Sequence, residues 1–235
     1  MKLSRILFIA VLILGVTAHM YAEQSKAFEL AADVIEYDSA SGMMTGTGAV
    51  KLTQGNAVLT GSNVQYNTKT KEAYITGGIR LEQDGAVMTA AELRSYDNNQ
   101  FIASGDVELV KADSILTGPQ LDYYADKAYA VVNQNARLTM TEGVMTADKI
   151  EAYLNDNQVT GTGHVHLVSP ARQLDATSEQ AVYYGAKGQP GHVILTGNAR
   201  AVQEGNVLTG SKLTIYLEDK AVNAQGRTQL VIQPQ

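Results

Sequence analysis

Three histidines outside the N-terminal segment are the first residues to test for chemistry: His164, His166 and His192. His164 and His166 stand two apart, so a strand carrying them would present both imidazoles on one face, within reach of a shared metal. They fall on the polar side of their segment and no carboxylate motif accompanies them. A solvated pair is therefore expected, and no metal site is read. Cysteine is absent, which excludes a thiolate metal site, a cysteine nucleophile and a disulfide framework. Serine and threonine are abundant, but no Gly-x-Ser-x-Gly elbow occurs. Asp33, Asp84, Asp148, Asp175 and Glu179 are scattered, whereas glycoside hydrolysis needs two carboxylates at a fixed separation. A pair brought together across neighbouring strands stays open at this point. The net charge of −6 argues against binding a phosphate backbone. No enzyme, cofactor or nucleic-acid partner is read from these residues.

What the elements position is therefore a surface, and the surface is periodic. Apolar or small residues that follow a Gly-rich kink recur at Val50, Ile79, Val107, Ala136, Val165, Ala199 and Thr228, roughly every 29 residues with one wider gap before Ala199. A second series runs Leu59, Met88, Leu116, Met145, Leu174 and Leu208, and every member except Leu174 is followed by Thr. Both series place one insertion of about five residues in the same unit, and the segment 185–191 is read as its site. Within a unit the period is two: Met44, Gly46, Gly48, Val50 and Leu52 alternate with polar partners, as do Phe101, Ala103, Gly105, Val107 and Leu109. The other half-unit is read the same way, as in Val58, Thr60, Ser62, Val64 and Tyr66. Turn chemistry separates the halves at Gln54-Gly55-Asn56, Asp84-Gly85 and Glu204-Gly205-Asn206. Short turns favour antiparallel neighbours. About seven repeats of 28–29 residues then give about 14 strands in an all-β fold. Each strand bends at a central glycine, at Gly46, Gly48, Gly77, Gly105, Gly161, Gly163 and Gly197. A β-solenoid is the competing architecture.

Residues 1–22 read as a secretory signal. Lys2 and Arg5 precede an apolar run from Ile6 to Ala18, about 13 residues against the roughly 20 that span a bilayer. Ala22 supplies a small residue at the cut, and an uncleaved anchor is the alternative. Residues 23–235 are expected to form one domain. Tyr37, Tyr66, Tyr96, Tyr123, Tyr153 and Tyr216 recur near one position and are read as strand-end packing.

The apolar parity predicts an interior lined by Val50, Leu52, Ile75, Ile79, Leu81, Phe101, Val107, Leu109, Val132, Leu138, Val165, Leu167 and Leu195. Tryptophan is absent and only three Phe are present, so little bulk is available to plug it. A slot left partly open is expected, which would suit acyl chains at about 0.8 kcal/mol per methylene. An ordinary filled core fits the same residues. The last strand, with Leu230, Val231 and Ile232, is apolar and offers an edge for strand addition.

Three segments carry a family resemblance: Leu-Thr-Gly-Ser-x-Val-x-Tyr at Leu59 to Tyr66, Ala-x-Ile-Thr-Gly-Gly-Ile-x-Leu at Ala73 to Leu81, and Met-Thr-Ala-x-x-Leu at Met88 to Leu93. With the opening Ala31-Ala32-Asp33-Val34-Ile35-Glu36-Tyr37, the chain resembles the LptA/OstA-type family of periplasmic lipopolysaccharide transport proteins. The resemblance implies an elongated, bent antiparallel β-jellyroll, taco-like in section. It implies an apolar groove for the acyl chains of lipopolysaccharide (its lipid A part) and a periplasmic location. Implied partners are an inner-membrane LptC-like and an outer-membrane LptD-like protein of the same fold, with end-to-end self-association. The fold could instead serve a structural envelope repeat protein or a secreted polysaccharide-acting enzyme.

Overall fold

The computed structural model describes residues 28–96, 99–185, 191–217 and 221–233. The segment read as a signal, most of the 185–191 loop and Pro234 lie outside them. Apart from one 3-10 turn, Pro170–Arg172, the described elements are strands. They are β1 (Glu29–Ala31), β2 (Val34–Asp38), β3 (Met43–Gln54), β4 (Ala57–Asn67), β5 (Ala73–Gln83), β6 (Ala86–Tyr96), β7 (Gln100–Lys111) and β8 (Ser114–Tyr124). There follow β9 (Tyr129–Met140), β10 (Gly143–Tyr153), β11 (Gln158–Ser169), β12 (Leu174–Tyr184), β13 (His192–Gln203), β14 (Asn206–Tyr216), β15 (Val222–Gln225) and β16 (Gln229–Val231). Strands β3 to β14 follow one another through a single sheet in chain order.

Sixteen strands replace the expected 14 because the edge strands are broken in two. β1 and β2 pair different halves of β3, and β15 and β16 pair different halves of β14.

Two compact units divide the described residues: an N-terminal unit, 28–112 with 117–130, and a C-terminal unit, 131–233 with 113–116. The same device bends the strands in each. In the N-terminal unit the register slips by one between Thr47 and Val50 of β3, and between Thr76 and Ile79 of β5. Both strands hold two successive residues in the left-handed region there, Gly48-Ala49 and Gly77-Gly78. Two residues thus oppose one on the neighbour, a bulge that turns the strand. β7 repeats it at Gly105-Asp106, and the C-terminal unit at Gly163-His164 in β11 and Gly197-Asn198 in β13. β9 carries the same pair at Gln134-Asn135, a bend without glycine that the sequence did not reveal.

The bends change the reading of the intervening strands. Continuous alternation is not what they show. In β6 the buried residues are Ala86, Met88 and Ala90, then Leu93 and Ser95. β10 buries Gly143, Met145 and Ala147, then Ile150 and Ala152. The inward parity slips by one where the strand crosses its neighbour's bulge. Val58 and Thr60 therefore lie on the opposite side of β4 from the buried Val64. The residue before each slip is small: Gly61, Ala90, Gly118, Ala147, Ser178 or Gly210. A larger side chain there would crowd the inside of the fold.

Register also relocates the insertion. Met145 pairs Leu167, Leu167 pairs Ala176, Ala176 pairs Ala201 and Ala201 pairs Leu208. The member of the second series in β12 is therefore Ala176, not Leu174, and Thr177 follows it like the Thr of every other unit. The extra residues are split between the 170–173 turn and the 185–191 loop.

Candidate functional site

Each unit presents two apolar rows, one on either arm of its bent strands. In the N-terminal unit, Gly46, Val64, Ile75, Leu93 and Ala103 lie side by side on one arm. Leu52, Leu59, Leu81, Met88 and Leu109 line the other. In the C-terminal unit the rows are Ile150, Gly161, Ala181, Leu195 and Leu213, opposite Met145, Leu167, Ala176, Ala201 and Leu208. The strand arms thus supply two greasy walls to a trough. Residues of the even-numbered strands, Leu59, Val64, Met88, Leu93, Met145 and Ile150, contribute as much wall as the odd-numbered strands. The slip in parity concealed them.

The walls touch. Of the 13 positions expected to line an open slot, Leu52 is half-buried and the other 12 are no more than 7% exposed. A Cβ placed on Gly161 would come within 3.2 Å of Met145 Sδ on the opposite wall, and one on Gly46 within 3.4 Å of Leu30 Cδ2. These two glycines remain in register in their strands. Their smallness receives a side chain from across the trough, while Gly48 and Gly163 take the left-handed turns. The slot expected to stand partly open is therefore closed by its own side chains. Medium-sized aliphatics opposite Gly and Ala let the arms approach until they meet.

Aromatic rings line one turn-bearing rim, and the tyrosine series divides there. Tyr123 is buried and Tyr66 half-buried, whereas Tyr37, Tyr96, Tyr153 and Tyr216 are exposed; Tyr183, which is not a member of the series, is buried as well. Phe101 stacks on Tyr123 at 6.3 Å on that rim, whereas Phe28, beside Thr53 at the opposite strand ends, meets Tyr66 edge-on at 5.4 Å. Burial, with the negative charge of Glu142 in second place, pushes the Tyr183 phenol up to about 12. The phenol thus stays protonated in the fold after its unfolded counterpart, near 10, has ionised. Its stabilisation is complete below pH 10 and is lost as pH rises from 10 to about 12. Wild-type chain should lose on the order of 2 kcal/mol over that window that Tyr183→Phe does not lose. Urea melts at pH 9 and pH 11.5 read the difference; equal losses would show that the phenol titrates normally.

The outward faces are polar. Tyr74 donates to Glu92 at 2.5 Å and Ser104 donates to its other oxygen at 2.9 Å, which in that order hold the carboxyl below its usual range. The Arg94 guanidinium lies over the Tyr74 ring at 4.4 Å. Thr45, Thr47, Asn63, Gln65, Tyr74 and Thr76 border a hollow of about 380 Å³ on this side of the N-terminal unit. His164 and His166 do not converge: His164 Nδ1 meets Asp148 at 2.8 Å, and His166 Nε2 meets Asp175 at 3.1 Å. Among the described residues no group of three or more His, Cys, Asp or Glu is placed to hold a metal.

Both sheet edges are apolar and exposed. Leu230, Val231 and Ile232 are 58%, 41% and 71% exposed. At the other edge, which the sequence reading did not single out, Val34, Ile35 and Tyr37 are 56%, 47% and 59% exposed.

The family described as LptA/(LptD N-terminal domain) LPS transport protein matches this chain twice, over residues 29–158 and 89–221. Together the two matches span far more than half of the 235 residues. The chain belongs to the LptA/LptD N-terminal family of lipopolysaccharide transport proteins. The second match starts 60 residues after the first, about two repeats on, so the LptA-type unit fits the chain in more than one frame. No curated protein is similar enough to count as a relative. Among solved structures, LptH of Pseudomonas aeruginosa, the LptA-homologous periplasmic component of the conserved lipopolysaccharide transport device, is 16% identical. The match covers 89% of this chain and 96% of that one, with a TM-score of 0.19. Among the described residues of this LptA-family chain, no helix is long and apolar enough to cross a membrane.

Proposed function

We propose that this chain is a non-enzymatic periplasmic carrier that holds the acyl chains of lipopolysaccharide between its two apolar walls and passes them from the inner to the outer membrane. One observation carries the reading: a family of lipopolysaccharide transport proteins is built here as bent strands whose inward rows are Leu, Ile, Val, Met, Ala and Gly, with polar rows outside. Each methylene moved from water into such a trough is favoured by about 0.8 kcal/mol. Because the walls meet, a guest enters by parting them. The chain is proposed to be exported by cleavage of residues 1–22 and to act as one domain from residue 23. Its proposed neighbours are LptC-like and LptD-like proteins of the same fold.

Photocrosslinkable residues test the walls. Probes at Val50, Ile79 and Val107 should form lipopolysaccharide adducts, whereas probes at the outward Lys51 and Arg80 should not. Equal labelling of both faces would remove the carrier reading.

The two exposed edges suit strand addition between this chain and a neighbour or a second copy. Ile232→Lys with Leu230→Lys should weaken self-association without shifting the thermal midpoint, since both side chains already face water. Sedimentation velocity reads the first effect and circular dichroism the second. Unchanged assembly would place the joint elsewhere.

A further inference from the structure

On a flat sheet Arg172 and Tyr216 could not meet. Arg172 ends the turn after β11, and Tyr216 ends β14. Register sets Leu174, Gln203 and Asn206 together at one end of β12, β13 and β14, and Tyr184, His192 and Tyr216 together at the other. A straight strand of that length separates its ends by roughly 33 Å. Yet the Arg172 guanidinium Nη1 donates to the Tyr216 carbonyl oxygen at 2.8 Å. Within the C-terminal unit, then, the strands double back at their bulges. This bond joins one row of turns to the other across the opening of the trough.

Two further observations place a closure there. Glu142, in the turn between β9 and β10, belongs to the same row of turns as Arg172, and its charge reaches the Tyr183 phenol at the opposite rim. The turn that carries Arg172 is also where the repeat is broken. Its equivalents are two residues long at Gly55-Asn56, Asp84-Gly85 and Glu204-Gly205. Here residues 170–173 form a 3-10 turn, closed by the Gln173 amide on the Pro170 carbonyl at 3.0 Å, with Gln173 left-handed. The extra residues carry Arg172 beyond the strand ends, where an arginine side chain can span the opening.

We propose that Arg172 is a strap that keeps the trough of the C-terminal unit shut, and that lipopolysaccharide loads sideways when the strap lets go of the Tyr216 carbonyl. The inference rests on the carrier reading above. The bond is charge-assisted at the guanidinium but solvent-exposed, so its loss changes opening by about tenfold and leaves the fold intact. The strap thus sets the rate of loading and unloading.

The absence of native cysteine allows a direct test on the full chain. Arg172→Cys combined with Tyr216→Cys is bridged by a short bismaleimide, and uptake of fluorescently labelled lipopolysaccharide is followed by stopped flow. The bridged protein should load at least tenfold more slowly than the same protein before bridging, while each single-cysteine variant treated alike should not slow. Arg172→Ala should load and release about tenfold faster than wild type, with a circular-dichroism melt lowered by no more than a few degrees. Unslowed loading of the bridged protein, or wild-type rates in Arg172→Ala, would overturn the strap while leaving the carrier standing. A wild-type chain that takes up no lipopolysaccharide would overturn both.

Discussion

Ile79→Asp should unfold or badly loosen the N-terminal unit and abolish lipopolysaccharide uptake. Ile79 is 2% exposed, pairs Ala90 in β6, and lies beside the bend of β5 with its Cγ2 over Gly61. A carboxylate at that point has no cation in the apolar row to pair with and must shed its water or pull the arms apart. The cost of such a burial is about 3–5 kcal/mol. Two controls separate the causes. Ile79→Val removes one methylene at about 0.5–1.5 kcal/mol and should keep uptake. Arg80→Asp, one residue on, faces solvent and turns an exposed attraction to Glu82, at 2.7 Å, into an exposed repulsion, which should shift stability by no more than about 1 kcal/mol. Denaturant melts and equilibrium binding of labelled lipopolysaccharide read the three variants together. An Ile79→Asp chain that melts and loads like wild type would mean that position 79 faces water.

The second large effect lies at the bend of β7. Gly105 has φ +82, and a Cβ there would stand 2.5 Å from the Ala91 Cβ on the neighbouring strand. Ala91 has no flexible end to swing away, so the strands must separate. Gly105→Ala should therefore cost about 2–4 kcal/mol, the left-handed penalty plus overpacking. Gly78 supplies the comparison, because its φ is +75 and nothing lies within 4 Å of an added Cβ. Gly78→Ala should cost only the conformational part, about 1 kcal/mol. Urea unfolding of the pair measures the difference. Equal losses would show that close approach at the bend is not what reserves position 105 for glycine.

These two expectations share a cause. The trough exists because each strand turns at a bulge, and the bulge needs a backbone that tolerates left-handed dihedrals. Gln134-Asn135 shows that glycine is not mandatory. Both residues sit at positive φ in β9, and their bend completes the series at the same spacing. Strain at a single such pair is small enough for the neighbouring hydrogen-bonded strands to impose.

Much of this protein was legible before any fold was known. The repeat near 29 residues, the alternation of greasy and polar residues, and the Asn, Asp and Gly at the turns dictated an antiparallel all-β chain. The reason is local: side chains alternate across a strand, and turn residues carry their own dihedral preferences. The segments at Leu59 to Tyr66 and Ala73 to Leu81 also carried the family resemblance. Tertiary structure alone decided the rest. Where two residues oppose one, the inward parity of the facing strand slips, so Val58 and Val64 point to opposite sides although they share an even number. That slip depends on a neighbour about 15 residues away and leaves no mark in a single alternating run. Closure of the trough was likewise undetermined, because whether Gly161 leaves a gap or receives Met145 depends on how far two arms fold together. The reach of Arg172 to Tyr216 follows from the same folding, which brings rims 44 residues apart in sequence within one hydrogen bond of each other.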